Sequence, residues 1–582
     1  MGGNDMTGPA APKDPEKARP YFYILKDKDI FGDRQKDGTG IQFIYESDGR
    51  LISSAQITGN ITDQTELKLL ETVEGFGRLV HSIGVSVETD DPEENATFVF
   101  QMYGKKDLYG GGTNLTCELK CDGMEHRIYL SDDAWTQDDH VPGQIKIIFQ
   151  TPERMGKANV RLFLNDGYDA PPETEDAEVD VTSKAYREMI SRSLLHTGNT
   201  YRLRAAIEKA KAGKEVTIAY IGGSITQGAG ATPIHTECYA YKSFQLFQKR
   251  FSTKNNARFI KAGVGGTPSE LGMIRFDRDI LREGESPDIV VIEFAVNDEG
   301  DETKGVCYES LVRKVLKLSW KPAVVLLFSV FANDWNLQER LSPLGKKYDL
   351  PMVSIMDAVT PQFSLQGEER VISKNRFFYD MFHPGNIGHT IMADCLQYLF
   401  ECCDMAEHAR VGTFAEGVTE EQALQQRLSE SPVIGADFEK VFLLDKENRY
   451  VGAKIRPGGF DATDRELQCV EMDDHLAQTP EFPYNWMHKE NGPEDAFEME
   501  ITCKALFLVF KDSGETNVGK AEVTVDGNYC LTADPHINNW LHCNTVLLFS
   551  EKESRQHKIT ISMAEEDRNK QFTILGFGVC IK

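Results

Sequence analysis

No stretch of the chain is apolar for long enough to span a bilayer, and residues 1–20 (MGGNDMTGPAAPKDPEKARP) lack the apolar core of a secretory signal. A cytoplasmic protein is therefore expected. Positive charge is scarce as well: 64 Lys and Arg stand against 91 Asp and Glu, a formal net charge of −27. That field repels both a phosphate backbone and anionic lipid, and no basic stripe interleaved with aromatics offsets it. Nucleic acid and membrane are thus excluded as partners. Paired cysteine spacing is also missing. The 12 cysteines are scattered, and the close pairs Cys117 with Cys121 and Cys402 with Cys403 do not have the spacing of a structural zinc site. Reduced thiols and no bound metal are expected.

What is present is enough apolar sequence for several cores. The 582 residues are 40% hydrophobic and 27% charged, ordinary for folded protein and too many for one domain. After a flexible N-terminus (1–19), residues 20–168 show short alternating runs between turn residues, such as Ala96–Tyr103, Gln144–Phe149 and Ala158–Leu164, the pattern of a β-sandwich. The acidic, proline-bearing stretch at 169–182 reads as a linker. From 183 to 405 apolar strands alternate with helical segments: Val216–Ile221, Tyr239–Phe251, Arg258–Ala262, Ile289–Val296, Val306–Leu318, Ala323–Val330, Met352–Met356 and Asn386–Phe400. This alternation predicts an α/β/α domain with a parallel sheet, whose chemistry sits at the carboxyl ends of the strands. A polar connector, 406–432, leads to strand-like runs at Ala505–Phe510, Ala521–Val525, Thr545–Phe549, Lys558–Ser562 and Gln571–Phe577, a second sandwich over 433–582.

The most informative segment is EVTIAYIGGSITQGAGA, a strand running into a glycine-rich turn that holds Ser224. Gly222, Gly223 and Gly228 do not have the spacing of a dinucleotide fingerprint, and Ala229 and Gly230 stand where a phosphate-binding loop needs Lys and Ser or Thr. The nucleophile elbow of α/β-hydrolases is excluded too, because Thr226 occupies its last glycine position. A nucleophilic serine at a strand end remains. It needs a histidine held by a carboxylate, and FYDMFHPGNIGHTIMAD supplies Asp380 and His383 ahead of a helix. His389, inside that helix, reads as a packing residue. Acyl transfer also needs donors for the oxyanion; the candidates are the Ser224 N–H, Gly266 in KAGVGGTPSELG and the Asn297 amide in IVVIEFAVNDEG. Glu293 and Asp298 offer a paired-carboxylate glycosidase as a rival, but that reading leaves Ser224, Asp380 and His383 without a role.

These four segments resemble the four blocks of SGNH/GDSL hydrolases: Ser224 in GGSITQG, Gly266 in AGVGGTPS, Asn297 in AVND, and Asp380 with His383 in DMFHP. The likeness covers roughly Val216 to Phe400. One departure is Gly223, which stands where the family name places an aspartate. With flanking sandwiches, IGGSITQGAGA resembles the carbohydrate-active esterases of the superfamily, acetyl xylan esterases above all. The resemblance implies metal-free, cofactor-free removal of acetyl groups from xylan-type oligosaccharides. Esterases acting on acetylated mannan, pectin or other acyl esters are the alternatives, as is a non-catalytic carbohydrate-binding protein. Aromatics in turn-rich C-terminal sequence, Trp486 with His488 and later Trp540, are candidates for a sugar-facing surface, and His235 and Tyr239 for the acyl pocket.

Overall fold

The run Val216–Gly222 has no polar alternation, so it can be satisfied only as a strand covered on both faces, and all seven of its positions are buried. In the computed structural model, which describes residues 6–7, 17–45, 50–59, 61, 63–106, 110–132, 134–173, 176–282, 284–405, 419–538 and 540–581, this strand lies near one edge of a six-stranded sheet. The strand order is Leu194–His196, Met352–Ser354, Ala323–Phe328, Ile289–Glu293, Val216–Gly222, Ala257–Gly263. Five strands are parallel, with Val216 opposite Ala257 and Ile218 opposite Ile289. The sixth corrects the all-parallel expectation. Leu194–His196 pairs antiparallel with Met352–Ser354, and this edge position needs hydrogen bonds on only one side. Side chains alternate between two cores: Ile218 and Tyr220 face the helices Tyr201–Lys211, Tyr239–Phe251 and Asn386–Met405, while Ala219 and Ile221 face Ser269–Phe276 and Val306–Leu316.

The N-terminal region packs a five-stranded antiparallel sheet against a four-stranded one (Tyr21–Phe31, Met155–Leu164, Val80–Thr89, His126–Tyr129). Between its strands run the helices Arg50–Thr58, Gln64–Leu67 and Val73–Leu79, which alternation alone did not reveal. The last two are opened by side-chain caps: Asp63 Oδ1 accepts from Thr65 N at 2.7 Å and Thr72 Oγ1 from Gly75 N at 3.0 Å. The stretch read as a linker is tied down at Asp176, which accepts from the side chain of Asn375 at 3.0 Å.

The C-terminal region is built on two long strands, Phe497–Asp512 and His542–Met563, within a folded antiparallel sheet. Thr545–Phe549 and Lys558–Ser562 are two ends of that second strand; between them Arg555 and Gln556 pair with Cys503 and Thr502, while residues 551–554 fall at a register shift of the ladder. Phe507, Val509 and Cys543 from this sheet join the core that covers one face of the central sheet. Most of the N-terminal 1–19 segment and residues 406–418 of the connector lie outside the described residues; the remainder of the connector carries the helix Glu420–Ser429. Among the described residues no helix is long and apolar enough to cross a membrane.

Candidate active site

The strand Val216–Gly222 ends at the carboxyl edge of the sheet, and Ser224 opens the single helical turn Ser224–Gln227 that follows. Gly223 has no room for a side chain, since a Cβ there would come within 2.3 Å of Asn297 Oδ1. This close approach seats the Asn297 carboxamide against the turn that carries Ser224. The Asn297 oxygen is buried with no hydrogen-bond partner among the described residues.

His383 lies between Ser224 and Asp380. Its Nε2 is 2.9 Å from Ser224 Oγ and its Nδ1 is 2.9 Å from Asp380 Oδ2. The second oxygen of Asp380 accepts from the backbone N–H of Phe382 at 2.7 Å and of His383 at 2.8 Å, which fixes the carboxylate within its own turn. With Nδ1–H donated to the carboxylate, the Nε2 lone pair faces the serine hydroxyl, so the arrangement can take the Ser224 proton and return it.

The glycine loop lies beside the serine: a Cβ at Gly265 would stand 3.7 Å from Ser224 Cβ. Gly266 has φ of 72°, which favours glycine there. This loop is held from both sides. Gly265 N–H donates to Gln227 Oε1 at 3.0 Å, Gln468 Nε2 donates to Gly265 O at 2.9 Å, and His542 Nε2–H donates to Gly266 O at 2.9 Å. Gln468 and His542 come from the C-terminal region, and no local signal in the sequence pointed to either. The Trp540 ring, 4.6 Å from that of His542, reaches the same glycine and remains 41% exposed.

Three predicted substrate-contacting residues lie buried elsewhere. Trp486 is only 4% exposed and packs edge-on against Phe497 in the C-terminal core. His488 is equally buried, its ring nitrogens facing the carbonyls of Lys570 at 2.9 Å and Pro493 at 3.0 Å. Both complete a hydrophobic core and present nothing to a sugar. Tyr239 is corrected in the same way: it is fully buried beneath the nucleophile turn, its hydroxyl 2.8 Å from Thr226 Oγ1 and its ring stacked on His389. His235 is half-buried on the short helix Ile234–Glu237, and burial lowers its pKa. His389 accepts from Tyr239 N–H through Nδ1 and donates through Nε2 to Ala229 O, each at 3.1 Å; burial pushes its pKa down to about 3. It is therefore a neutral brace for the turn.

Glu293 and Asp298 point inward. Glu293 accepts from Thr226 Oγ1 at 3.1 Å, and burial raises its pKa to about 7. Asp298 accepts from the N–H and hydroxyl of Ser269 at 2.7 and 2.8 Å; burial, followed by the nearby Asp301, raises its pKa to about 8. Neither carboxyl is presented to a cleft as a glycosidase requires.

Residues 220–391 match the GDSL-like Lipase/Acylhydrolase family. The chain is similar to the crystal structure of a two-domain esterase (CEX) active on acetylated mannans, at 25% identity and a TM-score of 0.54, over 68% of this chain and 99% of that one. It is equally similar to a structure of such an esterase co-crystallized with mannopentaose, at 25% identity, a TM-score of 0.53, and coverage of 68% and 98%. No curated protein sequence matches the chain. Ordered motifs, a matching family and this structural likeness agree that the chain carries an SGNH/GDSL acylhydrolase domain and is a carboxylic ester hydrolase.

Proposed function

We propose that the protein removes O-acetyl groups from plant-polysaccharide oligosaccharides through an acetyl-enzyme on Ser224. The observation that carries this reading is the unbroken hydrogen-bonded line from Asp380 through His383 to Ser224, with both links at 2.9 Å. His383 takes the Ser224 proton as Oγ attacks the ester carbonyl, and Asp380 stabilises the imidazolium that forms. The Ser224 N–H, the Gly266 N–H and the Asn297 amide receive the developing oxyanion. Collapse of the tetrahedral intermediate expels the sugar oxygen, which His383 protonates. Water, deprotonated by the same imidazole, then releases acetate and restores the serine.

The carbohydrate substrate is supported by the exposed Trp540 ring beside Gly266, because an aromatic face at that place can stack on a sugar. A mannan backbone is placed ahead of the xylan expected from sequence, because both similar structures are of an esterase active on acetylated mannans. Residues 183–405 are read as the catalytic unit, with 20–168 and 433–582 as the accessory units around it.

The test is acetate release from acetylated manno-oligosaccharides, acetylated xylo-oligosaccharides and an aryl acetate, by wild type and by Ser224→Ala. Release from the mannan substrate that disappears in the variant supports the reading. Activity on xylan alone retains the mechanism and overturns the backbone preference. Undiminished activity in Ser224→Ala removes the mechanism, and binding without hydrolysis by wild type makes the protein a carbohydrate-binding one.

A further inference from the structure

The strand Tyr21–Phe31 of the N-terminal sandwich sends one side chain, Lys28, across to the catalytic unit. Lys28 is only 6% exposed, and its ammonium donates to the carbonyl oxygens of Asn375 at 2.7 Å and Phe378 at 2.6 Å. Asn375 lies in the helix Lys374–Phe377, and Phe378 follows it, so both acceptors belong to the segment that delivers Asp380 and His383. Phe378 also bridges to Pro384, and Tyr379 N–H donates to His383 O at 2.8 Å. The turn containing Asp380 and His383 is thus closed on itself at Phe378, where the Lys28 ammonium holds it. Two further contacts from the same sandwich reach this turn: Gln42 Nε2 donates to the Tyr379 hydroxyl at 3.1 Å, and the Ser53 hydroxyl lies 3.1 Å from Met381 Sδ.

An ammonium buried against carbonyls, with no ion pair among the described residues, is costly to retain. Burial pulls the Lys28 pKa down to about 8. A methionine would fill the same space without that cost. What the lysine adds is two charge-assisted hydrogen bonds to the backbone that aims an imidazole, in a reaction where a misplacement of about 1 Å is worth roughly a hundredfold in rate.

We propose that Lys28 is a positioning residue: through the Asn375 and Phe378 carbonyls, the N-terminal sandwich sets the place of the Asp380–His383 turn against Ser224. That sandwich is then part of the catalytic apparatus and not only an appendage. The inference rests on the Ser224 mechanism proposed above.

The experiment uses the full chain and compares wild type, Lys28→Met, Lys28→Arg, Gln42→Leu and Ser224→Ala on an aryl acetate and on an acetylated oligosaccharide. Active sites are counted with a serine-directed fluorophosphonate, and folding is followed by thermal melting. Lys28→Met is expected to lower kcat per titrated site by tenfold or more on both substrates, with KM within twofold. Lys28→Arg, which keeps donors for the two carbonyls, is expected to recover most of the loss. A folded Lys28→Met enzyme with kcat within twofold of wild type overturns the proposal. So does a loss confined to KM, or one that vanishes when rates are expressed per titrated site. If Lys28→Met does not fold, Gln42→Leu decides: a twofold to fivefold fall in kcat supports the positioning role, and an unchanged kcat removes it. Ser224→Ala separates the two readings, because wild-type activity that survives in that variant defeats the mechanism itself, whatever happens at Lys28.

Discussion

The imidazole of His542 donates from Nε2 to the carbonyl oxygen of Gly266 at 2.9 Å, so a residue of the C-terminal sheet holds the loop proposed to present an oxyanion donor. Burial lowers the His542 pKa, and its Nδ1 lies 3.2 Å from both the Asn538 amide nitrogen and the Asn544 side-chain oxygen. The Gly266 oxygen can only accept, so Nε2 carries the proton of this bond. Removing it frees the Gly266 peptide to rotate. The His542→Ala enzyme is expected to lose about tenfold to a hundredfold in kcat, up to the cost of one oxyanion donor, with KM for an aryl acetate nearly unchanged. Steady-state kinetics on the folded variant check this; an unaltered kcat leaves the His542 contact without catalytic consequence.

The carboxylate of Asp380 gives one oxygen to two backbone N–H groups and the other to His383 Nδ1. In Asp380→Asn the amide oxygen has to take the two N–H donors, which turns the NH₂ towards Nδ1. The ring must then carry its proton on Nε2, facing Ser224, where it cannot accept. A fall in kcat of a hundredfold or more is expected at neutral pH without loss of fold. Comparison of kcat with the thermal melting of the same preparation distinguishes this from unfolding.

The parts of this molecule that were readable in sequence are those whose information is local. Val216–Gly222 is buried throughout and carries only one small polar side chain, Thr217, and a serine, a glycine, an asparagine and a D-x-x-H turn each follow a strand or precede a helix in the expected order. Their meeting at one sheet edge follows from parallel topology. Long-range burial was not readable. Trp486 and His488 sit among turn residues that look exposed, yet the fold closes over them, while Trp540, in similar surroundings, stays open. Glu551 to Gln556 read as a break between strands; residues 551–554 do fall at a register shift, while Arg555 and Gln556 are an exposed stretch of strand that hydropathy does not distinguish from a turn. Lys28, Gln468 and His542 touch the site from regions far away in sequence, and nothing near them marks their role.

On the proposed function, the exposed ring of Trp540 beside Gly266 would stack on the sugar and not on the acyl group. Stacking of a ring on an aromatic face contributes about 1 kcal/mol. Trp540→Ala is expected to raise KM for acetylated oligosaccharides by roughly fivefold to tenfold and to leave an aryl acetate unaffected. Equal changes on both substrates would show that the indole acts by supporting Gly266.

Glu293 gives the molecule a pH-dependent weakness directly beneath its nucleophile turn. It is fully buried, and burial raises its pKa from 4.5 to about 7, with the Ser329 and Thr226 hydroxyls and His383 acting in the opposite direction. Below pH 4.5 the carboxyl is neutral in both folded and unfolded chains. Between pH 4.5 and 7 the unfolded chain gives up the proton while the folded one keeps it, so stability falls as pH rises and levels off above about 7. Asp298, raised to about 8, and Glu270, raised to about 10 by burial and the neighbouring Asp301, extend the same trend to higher pH. Glu293→Gln removes the charge and keeps an acceptor for Thr226. Urea unfolding of the full chain at pH 4.5, 6 and 8 is expected to show the variant close to wild type at the lowest pH and more stable at the highest, by a difference on the order of 2 kcal/mol. Parallel curves for the two proteins across that range would mean that the Glu293 carboxyl titrates alike in the folded and unfolded chains.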